Sequence, residues 1–332
     1  MNIGLTLGKF IPFHEGHRFM VQKALDEMDK VMVMVYEDDG TIIPVRQRAN
    51  WIRKCFADCG DKIEVIECYN CPQEVGYTET IIKQHNSYIL QKVGNKGITH
   101  FYSSEEYGEH VSKALKAIDR RVDMSRIYVP IRGTTIRENP YACRKFIPNV
   151  VYKDLIVKVA FLGSESTGKS TMAKVCADAF NSKMVREYGE EYWKANNLNG
   201  ILTPEQLGEI AKKQIELEEE TVLEANGCLF CDTTPLTTYM FCIYYHGRAT
   251  DDLWDMARKS ERIYDVVFVC DTDIPFDPSN GRRSREINLE QQKILIDELR
   301  MRKIPFIMLK GSIEERLKTV ERTLKALPSK WR

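Results

Sequence analysis

The stretch that decides the fold is Gly163-Ser164-Glu165-Ser166-Thr167-Gly168-Lys169-Ser170, which fits G-x4-G-K-[ST] in full. It follows an apolar run at 157–162 that predicts a buried strand, and residues 169–180 after it have helical spacing. In this setting the glycines let backbone N–H groups turn inward around phosphates, and the start of the helix adds a partial positive charge. The stretch therefore predicts a phosphate-binding loop at the edge of a sheet.

The side chains in and around this loop suit a nucleoside triphosphate. We expect Lys169 to reach the β- and γ-phosphates, and the Ser170 hydroxyl to ligate Mg²⁺ as cofactor. Asp232 ends the apolar run 228–231, where a carboxylate near the magnesium is expected; capping of the next helix is the alternative. The expected ATP contacts in this half are Gly163, Ser164, Glu165, Ser166, Thr167, Gly168, Lys169, Ser170, Thr171, Arg282 and Arg283.

Two further features favour a kinase for a small alcohol. Such an enzyme needs a group that orients or deprotonates the attacking hydroxyl, and Glu187, after a short apolar stretch, is the candidate base. A solvated glutamate at a helix start is the alternative. The loop 277–283 carries Arg282 and Arg283, which could close over the phosphates or form a basic surface loop.

Short apolar runs alternate with amphipathic stretches along the whole chain, which is typical of parallel sheets covered by helices. Pro148-Asn149 is a turn signal that separates two such series, so we expect domains at 1–150 and 155–332. The predicted strands are 3–7, 31–36, 63–68, 99–102, 127–129, 157–162, 228–231, 266–270 and 304–309. The predicted helices are 17–28, 46–57, 79–92, 109–118, 169–180, 205–226, 286–302 and 312–326.

A second group of chemically active residues directly follows the first strand, in Gly8-Lys9-Phe10-Ile11-Pro12-Phe13-His14-Glu15-Gly16-His17. The two histidines lie where the chain turns into a helix, and Gly16 permits close approach of the backbone to a phosphate. Nucleotidyl transfer needs cationic and hydrogen-bonding groups around the α-phosphate and the departing pyrophosphate, with little covalent work by the protein. Two histidines, Lys9 and a distant arginine would meet that need.

This stretch resembles the first motif of the (H/T)xGH nucleotidylyltransferase superfamily, and most resembles the adenylyltransferase domain of NadR-type bifunctional proteins. The second motif of that family, I-S-x-T-x-x-R, is matched by residues 131–137, with Arg132 where the family usually has serine. The resemblance implies catalytic roles for His14, His17, Lys9 and Arg137. It also implies ATP contacts from Gly8, Lys9, Phe10, His14, His17, Thr134, Thr135 and Arg137.

The second half is similar to the ribosylnicotinamide kinase half of the same proteins, in the phosphate loop, Arg186-Glu187-Tyr188, Asp232-Thr233-Thr234 and the arginine loop. The resemblance implies an α/β protein of two doubly wound domains, an N-terminal Rossmann-like nucleotidylyltransferase and a C-terminal P-loop kinase. It implies ATP-dependent phosphorylation of ribosylnicotinamide to nicotinamide mononucleotide, and adenylylation of that product with ATP to NAD and pyrophosphate. Enteric members carry an N-terminal helix-turn-helix, which we expect to be absent because this chain begins at the first strand.

The residues alone reach only nucleotidyl transfer plus P-loop phosphoryl transfer. The same two chemistries on a different nucleoside or a pantetheine-type acceptor remain open. A nucleotide-sensing regulator with weak turnover also remains open.

The charge balance and hydrophobicity of the chain limit the kinds of partner that it is expected to bind. The 332 residues carry 48 basic and 48 acidic side chains, so the field that a general nucleic-acid or anionic-membrane binder uses is missing. No apolar run approaches the roughly 18 residues that span a bilayer. We expect no signal peptide, because Met1-Asn2-Ile3-Gly4 lacks the basic and apolar regions of one. We expect a cytoplasmic enzyme whose partners are ATP, ribosylnicotinamide, nicotinamide mononucleotide and NAD, without nucleic acid or membrane; a homo-oligomer remains open.

The ten cysteines are expected to be reduced thiols. Cys55, Cys59, Cys68 and Cys71 have spacing that could hold zinc, but their helical and strand-like flanks argue against a metal site.

Overall fold

The computed structural model describes residues 1–196, 201–275 and 284–331, which form two compact units. The first unit is Met1–Leu155 together with the residues from Pro328, and the second is Ile156–Leu327. The sequence places the residues from Pro328 in the second domain, whereas the structure groups them with the first. The physical reason is packing of aromatic rings, because Trp331 and Tyr152 have ring centroids 5.7 Å apart.

The first unit is one parallel sheet with helices between its strands. The elements are β1 (Ile3–Gly8), α1 (Glu15–Glu27), β2 (Lys30–Tyr36), α2 (Val45–Cys55), β3 (Ile63–Cys68), α3 (Glu79–Val93), β4 (His100–Ser103), α4 (Gly108–Leu115), β5 (Ile118–Arg121), α5 (Gly133–Glu138) and α6 (Asn149–Leu155). The strand order is β3-β2-β1-β4-β5, with all pairs parallel. The predicted doubly wound α/β architecture is confirmed, and β1 lies at its centre.

The fifth strand of this sheet was expected at 127–129, and that expectation is wrong. The strand is Ile118–Arg121, which pairs with β4 at the edge of the sheet. Lys116 at φ 53° ends α4 early, so the helix expected at 109–118 stops at Leu115. Residues 127–129 instead fold around Asp123, whose carboxylate accepts their three backbone N–H groups at 2.8–3.1 Å. The apolar residues 127–129 therefore have the sequence pattern of a strand but lie in a loop that the Asp123 side chain stabilises.

The second unit repeats this architecture around its own sheet. Its elements are β6 (Val157–Leu162), α7 (Lys169–Ala179), β7 (Lys183–Val185), α8 (Tyr188–Ala195), α9 (Pro204–Thr221), β8 (Cys228–Asp232), α10 (Pro235–His246), α11 (Asp251–Ser260), β9 (Val266–Cys270), α12 (Arg285–Met301), β10 (Ile307–Leu309) and α13 (Ile313–Ala326). The strand order is β10-β9-β6-β8-β7, again parallel. The last strand begins at Ile307 rather than at 304, because Ile304 donates its N–H to Leu299 and Pro305 has none to donate.

Alternate residues of β6 supply two separate hydrophobic cores. Val159 and Phe161 pack on one face of the sheet with residues of α7 and α13, and Ala160 and Leu162 pack on the other with residues of α10 and α12. Both faces of a parallel strand are thus buried, which explains why the strand is continuously apolar in sequence. The carboxyl end of β6 is left at the edge of the sheet, where the phosphate loop begins.

The ten cysteines are all free thiols. Among the described residues there is no group of three or more His, Cys, Asp or Glu side chains suited to a metal ion. No helix in the described ranges is both long and apolar enough to cross a membrane.

Candidate active sites

The first unit brings two histidines together at the beginning of α1. His14 is the N-cap residue of the helix, and its Nδ1 accepts the Gly16 N–H at 3.1 Å. The Nδ1 of His17 accepts the His14 N–H at 3.4 Å, and the two rings stack with centroids 3.7 Å apart. Because both Nδ1 atoms accept hydrogen bonds, the neutral rings carry their proton on Nε2. The pair therefore caps the helix and keeps two Nε2–H donors free for a ligand.

Burial keeps both histidines neutral at physiological pH. Desolvation, aided by the positive charges of Arg126 and Arg137, lowers the pKa of His14 to about 4. The pKa of His17 lies well below its ordinary value, because of burial first and then the charges of His14 and Arg126. A neutral imidazole donates a hydrogen bond through its one N–H group. Because both rings stay neutral near pH 7, this donor is present throughout that pH range.

The second sequence motif lies against the first. Arg137 donates to the Ile11 carbonyl at 2.7 Å and to the Thr134 hydroxyl at 3.3 Å. A Cβ atom on Gly133 would lie 3.3 Å from the same Ile11 oxygen and 4.0 Å from His14 Nε2. Two motifs separated by more than a hundred residues thus meet in the structure. The remaining motif residues, Arg132, Thr134 and Thr135, are exposed around the start of α5.

A buried arginine that sequence reasoning missed fixes the turn containing Lys9 and Phe10. Arg48 is 1% exposed; it donates to the Lys9 carbonyl, to the Tyr36 carbonyl at 2.7 Å and to the Ile43 carbonyl at 3.1 Å. Phe10 adopts φ 53°, and its ring would lie 3.1 Å from a Cβ on Gly8. Lys9 itself pairs with Asp38.

Arg126 is a second residue that the motifs did not reveal. It has φ 51° in the loop held by Asp123, and its charge acts on both histidines. The same loop is fixed against α1, because Tyr128 stacks on Phe19 with ring centroids 5.7 Å apart. The first unit thus holds two guanidinium groups, those of Arg126 and Arg137, beside its histidine pair.

In the second unit the phosphate loop has the backbone that its glycines predict. Gly163 and Gly168 have φ values of 148° and 86°, and Ser166 has φ 58°. The Thr167 hydroxyl and the Lys169 ammonium both donate to the Ser164 carbonyl at 2.9 Å. Lys169 is the first residue of α7, and Ser170 and Thr171 follow it in the exposed first turn.

Three side chains from the end of the chain hold this loop in place. Gln292 accepts the Ser164 N–H at 2.8 Å and donates to the Cys270 carbonyl at 2.9 Å. Asn288 donates to the Glu165 carbonyl, and Arg316, 2% exposed, donates to the Thr167 carbonyl at 2.8 Å. Sequence reasoning missed all three, because each binds a backbone group more than a hundred residues earlier in the chain.

The two candidate carboxylates share the neighbourhood of Lys169. Asp232 is 2% exposed, and its Oδ1 has no hydrogen-bond partner among the described residues. Burial raises the pKa of Asp232, and the charge of Lys169 opposes that rise. Burial also raises the pKa of Glu187; Lys169 opposes the rise, and Asp232, Glu190 and Glu165 add to it.

Arg282 and Arg283, expected to contact ATP, lie outside the described residues.

Comparisons with known proteins match each unit separately and then the chain as a whole. The model of cytidylyltransferase-like domains matches residues 5–139, and that of an AAA domain matches residues 158–316. The "Trifunctional NAD biosynthesis/regulator protein NadR" of Salmonella typhimurium is 30% identical over 93% of this chain and 79% of its own. The protein of the same name from Escherichia coli is 28% identical over 92% and 78%.

Solved structures are similar over the same extent. A NadR protein in complex with NAD and AMP-PNP superposes with a TM-score of 0.60 at 21% identity, covering 98% of this chain and 97% of that one. A NadR protein in complex with NR gives 0.61 at 20% identity, with the same coverage. These likenesses show the fold.

Fold and sites together define a bifunctional enzyme, a nucleotidyltransferase and a P-loop kinase in one chain. The chain belongs to the NadR family of NAD biosynthesis proteins.

Proposed function

We propose that the chain makes NAD in two steps. The second unit transfers the γ-phosphate of ATP to the hydroxyl of ribosylnicotinamide and yields nicotinamide mononucleotide. The first unit joins this product to the AMP moiety of a second ATP and releases pyrophosphate. The observation that carries the proposal is the presence, in one chain of the NadR family, of a neutral histidine pair beside Arg137 and a phosphate loop near two carboxyl groups of raised pKa, Glu187 and Asp232.

In the first unit, the phosphate of nicotinamide mononucleotide attacks the α-phosphorus of ATP, and the bond to pyrophosphate breaks. The chain supplies charge complementarity: the Nε2–H groups of His14 and His17 donate to the phosphates as charge develops, and Arg137 neutralises the departing pyrophosphate. Gly8, Phe10, Thr134 and Thr135 line the same place, and Lys9 exchanges Asp38 for a phosphate oxygen. These side chains need no proton transfer, so their neutral or permanently charged states suit the reaction.

In the second unit, the backbone from Gly163 to Ser170 cradles the phosphates and Lys169 neutralises the β- and γ-phosphates. Glu187 accepts the proton of the attacking hydroxyl, a role favoured by its raised pKa. Ser170 and Asp232 present hydroxyl and carboxylate oxygens, and Asp232 Oδ1 is buried without a hydrogen-bond partner among the described residues, so this donor set fits Mg²⁺. Bound there, Mg²⁺ would supply neutralisation of the triphosphate charge.

We place the enzyme in the cytoplasm, without a nucleic-acid or membrane partner. All ten cysteines are free thiols, which suits a reducing compartment. Equal numbers of acidic and basic side chains provide no field that attracts DNA or anionic lipid.

Product analysis tests the proposal directly. The purified chain is incubated with ATP, Mg²⁺ and either ribosylnicotinamide or nicotinamide mononucleotide, and products are resolved by chromatography. We expect the mononucleotide and then NAD from the first substrate, and NAD with pyrophosphate from the second. Turnover of a different nucleoside in preference to ribosylnicotinamide would contradict the assigned substrate. Stoichiometric binding of both nucleotides with negligible turnover would instead favour a nucleotide-sensing regulator.

A further inference from the structure

The loop 123–131 packs against the beginning of α1, next to the histidine pair. The Tyr128 ring stacks on Phe19 with ring centroids 5.7 Å apart, and Ile131 Cγ2 lies 3.8 Å from where a Cβ on Gly16 would be. Gly16 and Phe19 stand on either side of the second histidine in sequence. The loop is therefore attached to the nucleotidyl-transfer site at two points.

Hydrogen bonds inside this loop fix the backbone of Arg126. The Asp123 carboxylate accepts the backbone N–H groups of residues 127–129, and the Asp123 carbonyl accepts the Arg126 N–H at 2.8 Å. Arg126 lies in the left-handed region at φ 51°. An arginine is disfavoured there, and residues held in such conformations cluster at functional sites. The loop thus accepts an unfavourable backbone conformation at the position of a guanidinium group.

The guanidinium of Arg126 has few partners within the protein. Its ion pair in the described part of the chain is with Glu105 at 3.8 Å, and its side chain makes no hydrogen bond among those residues. The Arg126 side chain is 28% exposed and that of Glu105 is 60% exposed. Arg137, by contrast, donates to the Ile11 carbonyl and to Thr134. The N–H donors of Arg126 are therefore open to a ligand.

The partners of Arg126 place it where the fold binds ligands. Glu105 comes two residues after β4, and the histidine pair follows β1, the neighbour of β4 in the sheet. In an open parallel sheet, ligands bind outside the carboxyl ends of the strands where the strand order reverses, which here is between β1 and β4. Burial first, and then neighbouring positive charges that include Arg126, lower the pKa of both His14 and His17. The guanidinium thus brings its charge to the same end of these two strands as the histidine pair.

We propose that Arg126 is a further catalytic residue of nucleotidyl transfer, which binds the β- and γ-phosphates of ATP and neutralises them as they leave as pyrophosphate. This inference rests on the proposed function of the first unit and adds a residue that lies in neither of its two motifs. A planar guanidinium can bind two phosphate oxygens at once.

The assignment to ATP follows from charge and from chain connectivity. A triphosphate carries several negative charges, whereas the neutral histidines supply hydrogen-bond donors without net charge. The loop 123–131 runs directly into residues 131–137, the motif from which ATP contacts are expected. Arg126 is therefore assigned to the phosphates of ATP and not to the phosphate of nicotinamide mononucleotide.

Two substitutions test the charge and the shape of this side chain. Arg126→Gln removes the charge and keeps a polar side chain, so kcat/KM for ATP in the formation of NAD should fall by about 10²-fold. Arg126→Lys keeps the charge but lacks the planar fork, so its loss should be smaller. Because the Arg126 side chain makes no hydrogen bond among the described residues, neither change should lower the melting temperature of the first unit.

The reverse reaction identifies which phosphates Arg126 binds. Pyrophosphate attacks the adenylyl phosphorus of NAD, the bond to the phosphate of nicotinamide mononucleotide breaks, and ATP forms. In Arg126→Gln the KM for pyrophosphate should rise at least about 10-fold. The dissociation constant of NAD, measured by calorimetry, should stay at the wild-type value, because NAD has no β- or γ-phosphate of ATP.

Two matched controls separate this role from general effects of charge and backbone. Arg18→Gln removes the same charge from α1, where Arg18 is exposed and pairs with Glu15 at 3.3 Å. Lys116→Gly and Arg126→Gly each place a glycine at a left-handed position of the first unit, a conformation that glycine adopts readily. Neither glycine variant should lower the melting temperature, but only Arg126→Gly should lose NAD formation. Arg18→Gln and Lys116→Gly should keep wild-type kinetics in both directions.

Three outcomes would overturn the inference. One is wild-type kcat/KM for ATP in Arg126→Gln, and another is an equal loss in Arg18→Gln. The third is weaker binding of NAD or nicotinamide mononucleotide with an unchanged KM for pyrophosphate, which would place Arg126 at the second substrate. Absence of NAD formation by the wild-type chain would instead contradict the proposed function, so the two failures are distinguishable.

Discussion

At the scale of single residues, Asp232 and Glu187 differ in what they are expected to touch. Asp232→Asn should weaken the dependence of phosphoryl transfer on Mg²⁺ and slow transfer to any acceptor, because it disturbs the oxygen donors beside the phosphates. Glu187→Gln should leave ATP affinity nearly intact and slow transfer to ribosylnicotinamide, because an amide cannot accept the proton. Titration of Mg²⁺ in both variants checks the assignment. Near-normal turnover in Glu187→Gln would show that Glu187 is not the base.

Glu218 predicts a dependence of stability on pH. This carboxyl is 2% exposed, accepts the Tyr264 hydroxyl at 2.8 Å, and burial raises its pKa to about 7 from an ordinary value of 4.5. The folded state therefore keeps a proton that the unfolded state releases between these two pH values. The contribution of Glu218 to the free energy of unfolding therefore falls by roughly 3 kcal/mol at most as pH rises from 4.5 to 7. Above pH 7 this contribution no longer changes with pH.

Glu218→Gln should remove that slope, since the amide oxygen still accepts the tyrosine hydroxyl and carries no proton to lose. Thermal unfolding of both proteins from pH 5 to pH 8 provides the measurement, and the variant should gain stability over the wild type as pH rises. Glu220→Gln, an exposed change on the same helix, is the control. Parallel curves for wild type and Glu218→Gln would contradict the prediction.

Which residues can be predicted from sequence depends on how they come together. His14, His17 and Lys169 belong to contiguous motifs, whose spacing is the geometry of one turn or loop, and the structure places them accordingly. Arg48, Gln292 and Arg316 donate to or accept from backbone groups that are distant in sequence. From sequence alone, a polar residue in an amphipathic helix is predicted to be exposed. Its buried role can be recognised only when the strand or loop that it binds is known.

At the scale of elements, the alternation of apolar runs with helical stretches predicted eight of the ten strands in the described part of the chain, because a strand buried on both faces is apolar throughout. β5 was not predicted, because this edge strand has the sequence Ile118-Asp119-Arg120-Arg121 and contains no apolar run. The short β7 was not among the strands predicted from apolar runs; it corresponds to the short apolar stretch before Glu187 that follows the phosphate-loop helix.

The support of the phosphate loop by α12 predicts an effect on the second unit. Gln292→Leu leaves the Ser164 N–H and the Cys270 carbonyl unpaired in a buried place, at about 1–3 kcal/mol each. We expect a lower melting temperature of the second unit and weaker binding of an ATP analogue, measured by calorimetry. Gln291→Leu removes a bond to the Tyr245 hydroxyl instead, so it should keep wild-type ATP affinity. Equal ATP affinity in both variants would contradict the role of Gln292.

At the scale of the whole molecule, each set of site residues belongs to one compact unit, so the two activities should be separable. Lys169→Ala should abolish phosphorylation of ribosylnicotinamide while NAD synthesis from supplied nicotinamide mononucleotide survives. His17→Ala should slow adenylylation by ~10²–10³-fold, as expected for loss of one preorganised donor, and spare the kinase. Parallel assays of both reactions on both variants check this. Equal loss of both activities in either variant would show that the activities do not divide between the units as proposed.

During synthesis, the residues of the phosphate loop are added to the chain well before Gln292 and Arg316, whose side chains hold the loop. Gln292, which binds the Ser164 N–H, is added 128 residues later. Arg316, which binds the Thr167 carbonyl, is added 149 residues later. At roughly 5–20 residues per second this interval lasts on the order of ten seconds. The contacts around His14 and His17 are complete once Arg137 has been added. During synthesis the nascent chain therefore passes through a stage in which its nucleotidyl-transfer site can form while its phosphate loop still lacks its supports.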